Sequence, residues 1–223
     1  IQLGKHEGAM AEIERALEAF GMDEGMLAAA LKVRERIGPN AIAAGAGSPP
    51  TLSVCMIAKN EESNIARCLR SIKGLADEVI VVDTGSQDRT REIAQILGAR
   101  VVDVEWTDDF SEARNISLRH ATGEWVLILD ADEVVAPSDH AKLRALVRTR
   151  KPLNIAYALT TRNYTDESGS RGWTPNSGEY SQEECGKGWF PSTKVRLFRS
   201  DSGIRFENAV HETVEGALRS CGI

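Results

Sequence analysis

Apolar residues fall along this chain in two alternating rhythms: short unbroken runs, and positions spaced three or four apart. Leu52 to Ala58, Val79 to Val82, Val101 to Val104 and Trp125 to Leu129 are short runs of the kind that make buried strands. Between them Ile65, Leu69 and Ile72 share one helical face, and Ile93, Ala94 and Leu97 share another. Phe110 to Ala121 reads as a further helix that ends before Gly123. Ser86 is placed to cap the helix carrying Ile93, and Gly98 is placed to stop it. Strand and helix alternating at each step predict right-handed βαβ crossovers. The expected fold class is therefore α/β, with a mostly parallel, Rossmann-like sheet flanked by helices and ligands in the crevice at the carboxyl ends of its strands.

The flanks follow other rules. Met10, Ile13, Leu17 and Phe20, then Leu27, Leu31 and Ile37, recur at roughly helical spacing with a break near Gly21. They predict a small N-terminal helical appendage over 1–37. A stretch rich in Gly, Ala, Ser and Pro marks 38–50 as a linker, so the main domain is expected over 51–223. After Pro137 the rhythm changes. Ser138 to Arg150 predicts a helix, and strand-like pieces at Tyr157 to Thr161 and Lys194 to Arg199 are separated by a long polar insertion, Asn163 to Lys187. The domain thus divides into halves at 51–135 and 136–223, and no internal repeat suggests a solenoid.

Composition narrows the classes. A chain of 223 residues with 42% hydrophobic and 27% charged residues can build one full domain with a real core. A formal charge of −6 argues against a broad nucleic-acid-binding face. The apolar runs are far shorter than the ~20 residues that cross a bilayer, so no transmembrane segment is expected. Cys55, Cys68, Cys185 and Cys221 are scattered with no CxxC pair, which disfavours zinc and makes a reducing cytoplasm the simplest compartment. The chain opens at Ile1 without a start methionine or a signal-peptide core, so a cut or processed end is expected, and Leu218 to Ile223 reads as an abrupt finish.

Three successive strand ends finish in polar groups: Ala58-Lys59-Asn60-Glu61, Asp83-Thr84-Gly85-Ser86 and Asp130-Ala131-Asp132-Glu133. In a parallel sheet all three open on one crevice. A single such Asp is weak, because Asp also caps helices and starts turns, whereas three in register are harder to explain structurally. Asp130 and Asp132, two apart, can direct one carboxylate to a metal and the other to a ribose hydroxyl or a metal-bound water. Hard oxygen ligands suit Mg or Mn.

Leu52-Ser53-Val54-Cys55-Met56-Ile57-Ala58-Lys59-Asn60-Glu61-Glu62, Val81-Val82-Asp83-Thr84-Gly85-Ser86, Ala113-Arg114-Asn115 and Gly123 to Glu133 together resemble the family 2 glycosyltransferases of the GT-A fold. The likeness is strong over about 51–135. Val195-Arg196-Leu197-Phe198-Arg199 and Phe206 to Glu212 resemble the end of a branch that carries a His-Glu pair. The resemblance implies a UDP-sugar donor held by 51–135 and an acceptor held by 136–223. It implies that Ala58, Asn60 and Glu61 line the base and ribose pocket, that Asp83 holds the uracil, and that Ala131 belongs to the same donor-binding set. Of the two DxD aspartates, Asp132 becomes the expected metal ligand and Asp130 lies nearer the ribose. Arg114 either forks onto phosphate or braces Asp130. His211 is implied as a second metal ligand, reached from the acceptor half.

An inverting displacement needs a base on the face opposite the diphosphate. Glu212 is the first candidate, with Glu183, Glu184 and Asp166 of the insertion as competitors. Tyr164, Trp173 and Tyr180 in that insertion, with Trp189 just after it, suggest an acceptor loop that stacks on sugar rings, with a mobile surface loop as the plainer reading. The acceptor stays open among saccharide, lipid-linked and protein partners, including cell-surface polysaccharide, as does contact with the inner face of a membrane through a partner. Two alternatives stand beside the transferase. A nucleotidyltransferase, like a dinucleotide or P-loop enzyme, would want a Gly-rich loop after the first strand, where Ala58-Lys59-Asn60-Glu61 stands instead. A catalytically degenerate GT-A-like module that binds nucleotide or a protein partner is the other.

Overall fold

The computed structural model describes residues 8–16, 23–40, 51–148, 155–168, 171–200 and 203–223. Residues 8–16 are helical (α1), followed by α2 (Glu24–Ile37) and β1 (Leu52–Ala58). Then come α3 (Ile65–Ser71), β2 (Glu78–Asp83), α4 (Thr90–Ile96), β3 (Arg100–Asp103), α5 (Phe110–His120) and β4 (Trp125–Ile128). The second half holds α6 (Pro137–Arg148), β5 (Ala156–Thr165), β6 (Thr174–Pro175), β7 (Gly188–Arg199) and α7 (Glu215–Ser220). The expected α/β architecture is present.

One sheet runs in the order β3-β2-β1-β4-β7-β5, with β6 paired to β7. The first four strands are parallel, and β7 joins β4 antiparallel. Its centre obeys the period of two along every strand. Val54, Met56, Val81, Leu127 and Leu197 face one core with α3 and α6, while Cys55, Ile80, Val82, Val126, Ile128 and Phe198 face the other with α5 and α7. Both faces are covered, so β4 reads in sequence as an unbroken apolar run. The chain moves outward from β1 through β2 to β3 and then returns to the other side of β1 for β4. That reversal opens a crevice above the carboxyl ends of β1 and β4, where ligands of such sheets bind.

Local signals explain most boundaries. Asp109 accepts from Glu112 N at 3.0 Å and caps α5, and Pro137 occupies the first position of α6, where its missing N–H costs nothing. Gly98 stops α4 as expected, with φ at 90° and its N–H on Gln95 O at 2.9 Å. Ser86 does not cap that helix. Asp88 accepts from Thr90 N at 3.0 Å in the capping role, two residues nearer the helix, and the Ser86 hydroxyl donates to Asp83 instead.

The N-terminal helices pack on the sheet domain rather than standing off it. Met10, Leu27 and Ala30 bury against Ile96, and the Arg34 guanidinium donates to Ile96 O from Nε at 3.1 Å and Nη2 at 2.8 Å. A cation at the carboxyl end of α4 satisfies a carbonyl that the helix leaves open. Leu17, Phe20, Gly21 and most of the expected linker lie outside the described residues.

The described part of the polar insertion is mostly turns and bends, carrying only the end of β5 and the short β6, and it is flanked by a long ladder. β5 and β7 pair from Ala156/Phe198 out to Thr165/Gly188, past the edges expected for either strand. Arg162 lies over the rings of Tyr180 at 4.2 Å and Trp189 at 4.6 Å and pairs with Glu179 at 2.6 Å. Two of the aromatic faces expected to stack on a sugar therefore carry a guanidinium of the same chain.

Candidate active site

The crevice above β1 and β4 is a cleft of about 560 Å³. Of the residues singled out in the sequence, Ala58, Glu61, Arg114, Asp130, Ala131, Asp132 and Glu212 line it. Asn60, Asp83 and His211 do not line it, although each stands at its edge. Ile57 and Lys59 from the β1 end, Thr84 from the β2 end, Trp106 from the β3–α5 loop and Phe110 at the start of α5 complete the wall.

Asp83 lies beside Ala58 in the parallel register and is 1% exposed. Its Oδ1 accepts from Gly85 N at 3.1 Å and Ser86 N at 2.8 Å, and its Oδ2 accepts from Ser86 Oγ. The carboxylate thus builds its own turn. Asn60 reaches the same turn from β1: its N–H donates to Ser86 Oγ at 2.9 Å, and its Oδ1 accepts from Gln87 N at 2.8 Å. Glu61 accepts from Asn64 Nδ2 at 2.8 Å while its own N–H donates to Thr90 Oγ1 at 2.7 Å. These bonds lock the β1 and β2 ends together as a preformed floor.

The two DxD aspartates differ sharply. Asp130 sits between two buried guanidiniums: Arg114 Nη2 donates to its Oδ1, and Arg196 Nη2 donates to its Oδ2 at 3.2 Å. Burial pushes the Asp130 carboxyl up, but the two guanidiniums outweigh it and hold the group below the usual carboxylate range. Arg196 also pairs with Glu133 at 2.8 Å. Asp132, by contrast, is exposed at the cleft mouth, and its contact with Arg67 runs through its backbone oxygen at 3.3 Å. Arg114 braces Asp130, one of the two roles left open for it.

Arg114 also lies 3.5 Å from Glu212 Oε1 through both Nε and Nη2, which fixes the candidate base at the cleft wall across a separation of 98 residues. Phe110 N donates to Ala209 O at 2.9 Å, and Asn115 and Phe206 exchange bonds of 3.0 and 2.9 Å, so α5 holds the segment that delivers Glu212. The competing carboxylates lie elsewhere. Glu184 accepts from Gly178 N and Tyr180 N, and neither it, Glu183 nor Asp166 lines the cleft. His211 is exposed and lines a neighbouring cavity.

The described non-glycine residues with left-handed φ are Asn60 at 56°, Asp108 at 59°, Asn208 at 76° and His211 at 57°. All four flank this region, and such conformations cost energy that sites commonly hold. Among the described residues no cluster of three or more His, Cys, Asp or Glu could hold a metal. A divalent ion held by Asp132 therefore needs oxygens from elsewhere. That suits Mg or Mn, which are commonly bound by one or two carboxylates plus substrate phosphates.

Arg196 had no role in the sequence reading, and its signal was an arginine within the otherwise apolar Val195-Arg196-Leu197-Phe198. A charge beside two side chains at most 1% exposed, itself 6% exposed, has to meet a buried partner.

An open α/β sheet with carboxylates gathered at its switch point defines a class of protein that binds its ligand in the crevice at the carboxyl ends of its strands. The comparisons give the family. The sequence model of Glycosyl transferase family 2 matches residues 53–204, and the chain belongs to that family. The sheet and its β1/β4 crevice are the GT-A arrangement expected from the resemblance. A TPR repeat-containing protein of Synechococcus elongatus is 37% identical over 168 residues, covering 75% of this chain and 36% of the relative. The SPbeta prophage-derived glycosyltransferase SunS of Bacillus subtilis is 30% identical over 168 residues, covering 73% and 34%. Among solved structures, a mannosyltransferase from Pyrobaculum calidifontis in complex with GDP-Man and Mn2+ is 25% identical, with a TM-score of 0.42 over 71% of this chain and 48% of that one. The chain spans about a third of the length of the curated relatives it matches. No helix among the described residues is long and apolar enough to cross a membrane.

Proposed function

We propose that this chain carries the catalytic domain of an inverting glycosyltransferase that moves a hexose-type sugar from a UDP-sugar to an acceptor hydroxyl or thiol. The observation that carries the reading is the contrast at the DxD motif. Asp130 is saturated by Arg114 and Arg196, whereas the Asp132 carboxylate stands exposed on the same cleft. In this reading Asp132 is the metal ligand, with the donor diphosphate and water completing the shell of Mg or Mn. His211 is its second protein ligand and has to be brought over by the 208–211 loop. A divalent ion there would offset charge on the departing diphosphate.

The protein's own groups do the rest. Ala58, Glu61 and Ala131 contact the nucleoside, with Asn60 and Asp83 fixing the floor beneath it. Glu212, oriented by Arg114, takes the acceptor proton. The acceptor atom bonds to the anomeric carbon from the face opposite the diphosphate, the bond from that carbon to the diphosphate oxygen breaks, and UDP leaves. The configuration inverts. Saccharide, lipid-linked or protein acceptors, including cell-surface polysaccharide, fit this chemistry. A cytoplasmic site of action, at the inner face of a membrane where the acceptor is lipid-linked, suits the free thiols of Cys55, Cys68, Cys185 and Cys221.

Thermal unfolding with nucleotides tests the reading directly. UDP plus Mn is expected to stabilise the protein by about 2.7 kcal/mol at a hundredfold excess over its Kd. UDP alone should do less, and ADP with Mn should do least. An unmoved transition with UDP and Mn overturns the proposal.

A further inference from the structure

A second cavity, of about 410 Å³, lies against the donor cleft, and Phe110, Arg114, Asp130 and Glu212 line both. We infer that this cavity is the acceptor subsite and that it takes a neutral pyranose, with Glu212 beside the junction where the two cavities meet. The inference rests on the transferase reading for the identity of the donor, but the cavity's chemistry stands apart from it.

Three features of the walls point to a sugar. First, the cavity has apolar faces: Phe206, Val195 and Val214 line it, and Val210, 60% exposed, stands at the rim with Phe110, 40% exposed. These two are the exposed large hydrophobic side chains among the described residues. Pyranose C–H faces pack on such surfaces, aromatic ones above all. Second, two buried guanidinium nitrogens on these walls find no partner, Arg114 Nη1 and Arg196 Nε. The side chains are only 6% and 8% exposed, and a buried donor left unmet costs about 1–3 kcal/mol until an oxygen arrives. Third, Arg114, Lys194 and Arg196 on the walls are balanced by Asp130, Glu212 and Glu215. Such a lining offers donors and acceptors but no net attraction for a charged group. A hydroxylated, uncharged ring meets all three conditions, and the volume is within the range of small-molecule sites.

The arrangement narrows the acceptor of the proposed reaction to a saccharide end. A sugar hydroxyl at the junction of the two cavities meets Glu212, which lines both, and faces the anomeric carbon of the donor with the base beside it rather than between them.

Saturation-transfer NMR with methyl β-D-glucoside, methyl β-D-galactoside and methyl N-acetyl-β-D-glucosaminide, each with and without UDP and Mn, tests the subsite. At least one glycoside is expected to bind wild type, and Val210→Trp, which fills the rim, is expected to weaken it by about tenfold or more. Because Val210 is exposed, the variant should keep the wild-type melting temperature, and this is checked first. In ¹⁵N-edited spectra the Nε–H resonance of Arg196, assigned through Arg196→Lys, should move when the glycoside is added. Binding of no glycoside, unchanged binding by a folded Val210→Trp, or an Arg196 resonance that answers to inorganic phosphate alone would each overturn the inference. Glycoside binding without any UDP response would leave the subsite standing and remove the donor reading instead.

Discussion

The two ends of the parallel sheet both carry buried polar groups, and they use them in opposite ways. At the amino ends of the strands, Glu78 is 6% exposed and accepts from Ser53 Oγ at 2.6 Å, Thr122 N at 2.8 Å and Thr122 Oγ1 at 3.0 Å. Ser53 Oγ in turn accepts from Gly123 N at 2.9 Å, an approach so close that a Cβ on Gly123 would lie 2.7 Å from it. Both oxygens of the Glu78 carboxylate and the Ser53 hydroxyl are thus partnered within the fold. At the carboxyl ends, the Asp132 carboxylate is left open to solvent and two guanidinium nitrogens stay unmet. A carboxylate at a strand end is thus structural or functional according to whether the fold has already satisfied it. Asp83 makes the same point at the functional end, since its turn consumes it.

Substitutions at the two ends should separate activity from stability. Asp132→Asn is expected to lower kcat/KM by about 10³-fold, since loss of metal assistance removes several kcal/mol of transition-state stabilisation. Its melting temperature should stay close to wild type, because the side chain is exposed and unpaired with the fold. A variant that unfolds early, or that keeps its rate, breaks the comparison. Glu78→Ala should behave the other way. It strands the Ser53 hydroxyl and the Thr122 N–H, costs about 3 kcal/mol and lowers the melting temperature by on the order of 10 °C. Isothermal titration below its transition should still show the UDP affinity of wild type, and a lost affinity would mean the two ends are coupled.

Acid titration gives the smallest effect. The folded-state pKa of Asp130 lies below its unfolded value, so the clamp contributes stability that is fully present above about pH 4, the unfolded Asp value, and is lost as pH falls through the depressed folded value. Melting temperature followed from pH 6 to 3 should fall less steeply in Asp130→Asn than in wild type. Equal slopes would show that the two arginines add nothing to the folded carboxylate.

The parallel half was legible because its signals are local. Runs such as Val79 to Val82, short and rich in β-branched residues, read as buried strands, and Gly98 marks its turn by backbone freedom alone. The β5–β7 ladder was less legible. β5 is half-exposed for most of its length and carries Thr, Arg and Asn, so neither a run nor a clean alternation announces it. Its order comes from pairing partners far along the chain and from the Arg162 stack with Tyr180 and Trp189.

The site divides along the same line. Sequence alone determined that Asp83, Asp130 and Asp132 stand at strand ends above one crevice, because strand periodicity and βαβ alternation fix where each strand points. Only the tertiary structure decided which carboxylate is left free. That choice depends on Arg114, 16 residues from Asp130, and on Arg196, 66 residues from it, arriving from opposite sides. Such long-range pairing leaves no periodic trace in the chain, since it is set by which faces α5 and β7 turn toward the cleft once both are packed.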